Sequence, residues 1–220
     1  MIFQDRSEAG RELATTLASK GYDSPVILAL PRGGVPVAIE VARALKAPMD
    51  LVMVRKIGAP GQPELAVAAV VNGDNPQIVV NEEIARSFRL SQADIEEMSK
   101  TRLVEIRRRR KLYLKGRSQI PMDGRTVIVI DDGIATGATV RVSLRAVRAK
   151  DPARLVLAVP VAPPDVVQEL AAEVDDLICL HRPMPFGAIG RFYADFPQTP
   201  DEEVIALLDE AEALADQGDV

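Results

Sequence analysis

The chemistry of this 220-residue chain is concentrated in one loop. Thr126, Val127, Ile128, Val129 and Ile130 form an apolar run that delivers two adjacent carboxylates, Asp131 and Asp132. The chain continues Gly133-Ile134-Ala135-Thr136-Gly137-Ala138-Thr139, and a helix is expected from about Thr139. Glycines let backbone N–H groups converge on an anion, and a helix N-terminus adds partial positive charge. The Thr136 and Thr139 hydroxyls can complete such a phosphate cradle. Carboxylates repel phosphate, but they accept hydrogen bonds from sugar hydroxyls. Phosphate at one end and a diol at the other describe a phosphorylated ribose. The spacing is not G-x-G-x-x-G, and no lysine follows Gly137 as a Walker loop requires. An acidic strand end followed by a helix cap would explain the two aspartates alone, but not the whole arrangement.

Two further loops carry charge or glycine. Pro31-Arg32-Gly33-Gly34 follows the apolar strand 25–30 and opens a helix. Two glycines permit close approach of a ligand, and Arg32 adds a planar cationic fork. Taken alone, the tetrapeptide reads better as a plain turn. Arg55-Lys56 ends the strand 49–54 and enters a stretch broken by Gly58, Pro60-Gly61 and Pro63. That punctuation predicts a mobile loop over 55–63. Its plain reading is two solvated charges.

The elements that must hold these loops alternate strand and helix. Asp5-Arg6-Ser7-Glu8 reads as a capping box, and Ala9, Leu13 and Leu17 follow at helical spacing. A helix is expected over 35–45. Asn72-Gly73-Asp74-Asn75 between two apolar runs predicts a β-hairpin. A long polar helix should start at Ser91 and reach about Lys115. Beyond the loop at 131 come a helix (139–150), a strand (154–159), a helix (164–172), a strand (177–180), an irregular stretch (181–200) and an acidic helix (201–216). Continuous apolar strands separated by amphipathic helices predict an α/β fold: a Rossmann-like parallel sheet with helices on both faces. Ligands in such sheets bind beyond the carboxyl ends of strands, where 31–34, 55–63 and 131–139 all fall.

Composition sets the outer limits. Apolar residues make up 47% and charged residues 27%, as in an ordinary globular chain. No apolar run approaches the roughly 20 residues that span a bilayer. The first residues lack a secretory pattern, which points to a cytoplasmic protein without a membrane partner. One cysteine and one histidine leave no internal disulfide and no Cys/His metal site. Cys179 reads as core and His181 as a structural hydrogen-bonding group. A net charge of −5 argues against general nucleic-acid affinity. The charge is uneven: residues 86–125 hold 12 Lys/Arg against 5 Asp/Glu, while residues 195–220 hold 9 Asp/Glu and no base.

Residues 127–140 resemble the phosphoribosyl-pyrophosphate (PRPP) motif of type I phosphoribosyltransferases. The patterns at 31–34, 55–63 and 181–193, with Asp195-Phe196 and Asp201-Glu202-Glu203, resemble small bacterial phosphoribosyltransferase-domain proteins of undetermined substrate. The resemblance covers nearly the whole chain. It implies one phosphoribosyltransferase domain over 1–220, with a core at about 5–180 and a hood from 1–4 and 179–200. It implies that Asp131 and Asp132 hold the ribose hydroxyls. Gly133, Ala135, Thr136, Gly137, Ala138 and Thr139 would take the 5′-phosphate. Arg32, Gly33, Gly34, Arg55 and Lys56 would bind pyrophosphate, with Lys56 neutralising it as it departs and residues 57–64 closing over the site. Mg²⁺ would be held through PRPP and water rather than by the protein. In the hood, Phe186, Phe192 or Tyr193 would stack on a nitrogenous acceptor, and Arg191 would meet an acidic group on it. Hypoxanthine-guanine-type members carry an aspartate where this chain has Ala135, which argues against a 6-oxopurine; adenine-type members carry Ala. A homodimer fits the resemblance.

The rival reading rests on Arg107-Arg108-Arg109-Arg110-Lys111. Successive residues spread around a helix at about 100° each, so they form no single stripe. Some proteins of this fold bind RNA as regulators. The alternative is therefore a catalytically silent PRPP or nucleotide sensor that contacts RNA through residues 102–117. A hydrolase with an aspartate nucleophile fits worse, because the Asp-x-Asp-x-Thr/Val pattern is missing.

Overall fold

The structure is a computed structural model that describes residues 2–71 and 77–216. The expected hairpin turn at 72–75 lies outside them, as does Met1 of the expected hood.

Five parallel strands form the main sheet: β1 (Val26–Ala29), β2 (Met49–Leu51), β6 (Thr126–Ile130), β7 (Arg154–Val161) and β8 (Asp176–His181), in the spatial order β2-β1-β6-β7-β8. The strand that carries the acid pair is the central one. Every residue of β1 and β6 is buried, because both faces are covered. Ile27, Ala29, Ile128, Ile130, Val156 and Ala158 face a cluster that includes α1 (Arg6–Ala18), α2 (Gly34–Leu45) and α7 (Asp201–Asp216). Val26, Leu28, Val127, Val129, Leu155 and Leu157 face α5 (Ala138–Arg148) and α6 (Pro164–Ala171) on the other side. A period of two thus divides each apolar run between two cores.

A second sheet corrects one expectation. Residues 55–63 are not a loop. They belong to an antiparallel ribbon of β3 (Val54–Ala59), β4 (Gln62–Val71) and β5 (Gln77–Val80). Ala59 pairs with Gln62, so Pro60-Gly61 is a two-residue hairpin turn, with Gly61 at φ +73°. The Pro-Gly pair marks a tight reversal here rather than an irregular segment. The expected strand 49–54 is correspondingly split: β2 ends at Leu51 and Val54 opens the ribbon.

Two more helices complete the chain between the sheets. A short α3 (Glu82–Ser87) has no counterpart among the expected elements; the Asn81 side chain caps it by accepting from Ile84 N at 3.2 Å. The polar helix α4 (Gln92–Leu114) starts at a capping box made by Ser91 and Asp94. Part of the uneven charge of the sequence is met internally. Lys115 of the α4 C-terminus pairs with Asp209 at 3.0 Å, and Arg117 pairs with Glu212 at 2.8 Å and also with Asp209. Arg43 of α2 meets Glu210 at 2.6 Å. The acidic helix α7 therefore lies against the basic segment.

Candidate functional site

The central strand ends where the neighbouring β1–α2 turn passes closest. A β-carbon placed on Gly34 would lie 2.7 Å from the Ile130 carbonyl and 3.0 Å from Asp131 Cα. Only a residue without a side chain fits against the end of β6. Turn 31–34 and loop 131–139 are therefore one surface, as the sequence required.

Asp131 is partly exposed and Asp132 is 7% exposed. Asp131 Oδ1 accepts from the Asp132 amide at 2.9 Å, which fixes the first carboxylate against the strand end. Burial, reinforced by the Asp132 charge, pushes the Asp131 carboxyl well above the usual carboxylate range. Burial also raises Asp132, opposed by the hydrogen bond and charge of Arg6. Arg6 Nε donates to Asp132 Oδ2 at 2.8 Å, and both side chains are about nine-tenths buried. Composition and spacing gave no hint of this partner, 126 positions away.

The loop that follows is open. Ala135, Thr136 and Thr139 are exposed, while Gly133, Ile134 and Gly137 are buried beneath them. Gly137 adopts φ +73° as the residue before α5, a conformation that favours glycine. No side chain caps this helix. Its first amides therefore have no side-chain acceptor ahead of the Arg141 N to Gly137 O bond at 2.8 Å. The arrangement can receive an anion.

The two basic residues of the ribbon part company. Alternation along β3 sends Arg55 and Lys56 to opposite faces. Arg55 points to α4, where its Nε meets Glu105 at 3.0 Å, and it also donates to the Val54 carbonyl. Its guanidinium is thus engaged on the α4 side of the ribbon. Lys56 shares a face with Val54, whose core cluster includes Ile134, Val140 and Leu144 of the β6–α5 segment. It has no ion-pair partner among the described residues. Arg32 is half-committed: its Nη1 donates to Asp201 Oδ1 at 3.2 Å, and the Tyr113 hydroxyl donates to the same oxygen at 2.6 Å.

The two segments expected to form a hood lie side by side. Phe3 N donates to Phe192 O and Ala194 N to Phe3 O, each at 2.8 Å, and Asp195 N donates to Gln4 O at 2.9 Å. Tyr193 is enclosed rather than exposed. It is 5% exposed, stacked on Phe196 at 4.8 Å, and its hydroxyl donates to the Asp132 carbonyl at 2.6 Å. It braces the acid-bearing loop through that hydroxyl. Phe186 and Phe192 form a tilted, half-buried pair at 5.1 Å, and Arg191 is exposed. Cys179 is only partly buried on β8, its Sγ donating to the His181 carbonyl at 3.1 Å; among the described residues, His181 Nε2 is buried without a hydrogen-bond partner.

The sequence matches the model of the phosphoribosyl transferase domain over residues 4–190. The chain belongs to the phosphoribosyl transferase domain family. A Mycobacterium tuberculosis protein provisionally named as a phosphoribosyl transferase is 44% identical over 210 residues, which is 96% of this chain and 47% of that protein. The chain spans about half the length of the curated relatives it matches. A crystal structure of a protein from Thermus thermophilus superposes with a TM-score of 0.87 at 42% identity, covering 96% of this chain and 99% of that one. The family match includes the β1–α2 turn, the ribbon, the acid pair and part of the hood, and it ends before Tyr193 and Phe196. Among the described residues of this phosphoribosyl transferase domain, no helix is long and apolar enough to cross a membrane.

Proposed function

We propose that this chain transfers the phosphoribosyl group of PRPP to a nitrogen acceptor and releases pyrophosphate. One observation carries the reading: a partly exposed Asp131 stands beside an uncapped helix N-terminus reached through Gly137. The loop 135–139 takes the 5′-phosphate on backbone amides and the Thr136 and Thr139 hydroxyls. Asp131 accepts from the ribose hydroxyls. Gly33 and Gly34 bring backbone to the pyrophosphate, and Lys56 supplies its charge from the ribbon. Arg32 joins only by leaving Asp201.

In the reaction the C1–O bond to pyrophosphate breaks and a C1–N bond forms, the acceptor nitrogen losing its proton. Positive charge builds on the ribose ring and negative charge on the leaving group. The protein supplies position and electrostatics, and no covalent nucleophile is needed. Among the described residues no group of three or more His, Cys, Asp or Glu could cage a metal. With Asp132 occupied by Arg6, the donor set suits Mg²⁺ bound through pyrophosphate oxygens and water. Bound there, the ion would neutralise the leaving group. The hood offers the Phe186–Phe192 pair and Arg191 to the acceptor. We read the protein as cytoplasmic.

The test is pyrophosphate release from Mg·PRPP over a panel of nucleobases and small amines. Acceptor-dependent release supports the transferase. Salt-sensitive RNA binding without release supports the sensor instead. The pairing of Lys115 and Arg117 with α7 lowers the positive potential that the sensor would need.

A further inference from the structure

Three side chains, Arg6, Phe196 and Tyr193, close a ring onto Asp132. Arg6 enters from the first turn of α1, which Asp5 caps by accepting from Glu8 N at 2.8 Å. Its Nε binds Asp132, its Nη1 donates to the Pro197 carbonyl at 2.7 Å, and its guanidinium lies 3.8 Å over the Phe196 ring. Phe196 stacks on Tyr193, and the Tyr193 hydroxyl returns to the Asp132 carbonyl. One cation therefore touches the loop and the hood arm together. Arg serves here where Lys would not, because a planar fork can stack on a ring and bond sideways at once.

We propose that Arg6 is a positioning residue of the active site: it fixes the Asp132 carboxylate and fastens the hood arm to the acid-bearing loop, leaving Asp131 as the acid that meets the ribose. The proposal rests on the phosphoribosyltransferase reading and deepens it. Without Arg6, the two adjacent carboxylates would face each other with no counter-charge, and the pair would ionise at higher pH still. The groups facing Asp132 are Asp131 from its own strand end, Arg6 from α1 and the Tyr193 phenol from the hood arm. The β1–α2 turn presents the uncharged Gly33, and Arg32 beside it is engaged by Asp201. Arg6 is the one cation in that set. A carboxylic acid that holds its proton is a poorer acceptor for a ribose hydroxyl.

The experiment uses the full chain with Arg6→Gln, Arg6→Lys and Phe196→Leu. Carboxyl ¹³C NMR follows the titration of the aspartate pair, and calorimetry measures Mg·PRPP affinity from pH 6 to 9. Arg6→Gln should move the pair's ionisation upward by about one pH unit or more. It should weaken PRPP at pH 7 about tenfold and recover much of that at pH 9. Arg6→Lys should restore the titration, which needs only the charge, but not the stacking on Phe196. Phe196→Leu leaves Arg6 and both acids in place, tests the hood arm if Arg6→Gln does not fold, and should weaken PRPP several-fold. An unmoved titration in Arg6→Gln overturns the proposal, as does an equal loss of affinity at every pH. Unchanged affinity in Phe196→Leu removes the hood arm from it. If the wild-type chain binds no PRPP, the transferase reading fails, while the titration still decides the role of Arg6.

Discussion

Asp132 Oδ2 occupies the space that a side chain on Gly33 would need: a β-carbon built there would lie 2.1 Å from that oxygen and 2.6 Å from Cγ. The carboxylate is thus wedged between a bare backbone and Arg6. Gly33→Ala must displace one of the two. The flexible end of Asp132 can move only by breaking its bond to Arg6, so the methyl acts as overpacking and costs about 1–3 kcal/mol. Urea unfolding should show that loss, and calorimetry should show PRPP affinity falling with it. A variant as stable and as tight-binding as the parent would disprove the wedge.

Asp131 carries a stability cost that can be measured by pH. Its folded-state carboxyl lies well above the ordinary value through burial and the adjacent Asp132 charge. Stability from such a group is fully present below about pH 3.9, its unfolded value, and is lost as pH rises through the folded value. At pH 7 the native state bears that loss. Asp131→Asn removes it, and the amide oxygen can still accept from the Asp132 amide. The variant should melt higher than the parent at pH 7, the gain should shrink toward zero near pH 4, and PRPP binding should fall. A lower melting point at pH 7 would contradict the raised carboxyl. The pattern expected, more stable but less able to bind, is the usual signature of a functional group held in a costly place.

The main sheet and the acid-bearing loop were legible in the sequence because each rests on local signals. Unbroken apolar runs require two covered faces, and the strand ends place 31–34 and 131–139 together. The Pro60-Gly61 reversal is ambiguous in the sequence because the same residues punctuate loops and tight hairpins; only pairing across the turn distinguishes them. Arg6, Tyr193 and Phe196 were hidden for a different reason. Their contacts with Asp132 and with each other arise where chain ends far apart in sequence meet, and no periodicity encodes that. Arg55 and Lys56 look equivalent as a dipeptide. The ribbon separates them simply because neighbours on a strand face opposite ways.

Asp201 restrains Arg32 from the first turn of α7, and Tyr113 holds Asp201 in place. The Tyr113 phenol is fully buried and pushed up to about 12, by burial first and then by its hydrogen bond to Asp201. A polyanion entering the β1–α2 turn competes with Asp201 for Arg32 and is also repelled by it. Asp201→Asn should therefore tighten pyrophosphate binding several-fold, most at low salt, where charges on the protein are least screened. Tyr113→Phe should cost about 1 kcal/mol of stability for the lost hydrogen bond and change pyrophosphate affinity less. Weaker pyrophosphate binding by Asp201→Asn would mean that Asp201 positions Arg32 for the ligand rather than withholding it.

Lys56 and Arg55 provide the sharpest contrast for the ribbon. Arg55 and Glu105 are each about a quarter to a third exposed, at 26% and 30%. A pair of that kind contributes at most about 1 kcal/mol, so Arg55→Met should be mildly destabilising and nearly silent in turnover. Lys56 faces the α5 side without an ion-pair partner among the described residues, and a lone cation near a leaving pyrophosphate stabilises charge that develops only during transfer. Lys56→Met should leave the melting point within about 1 °C, yet lower the maximal rate of pyrophosphate release at least tenfold, on the order of the 1.4 kcal/mol that one decade represents. Equal effects of the two substitutions on rate would show that the opposite facing of these neighbours has no catalytic consequence.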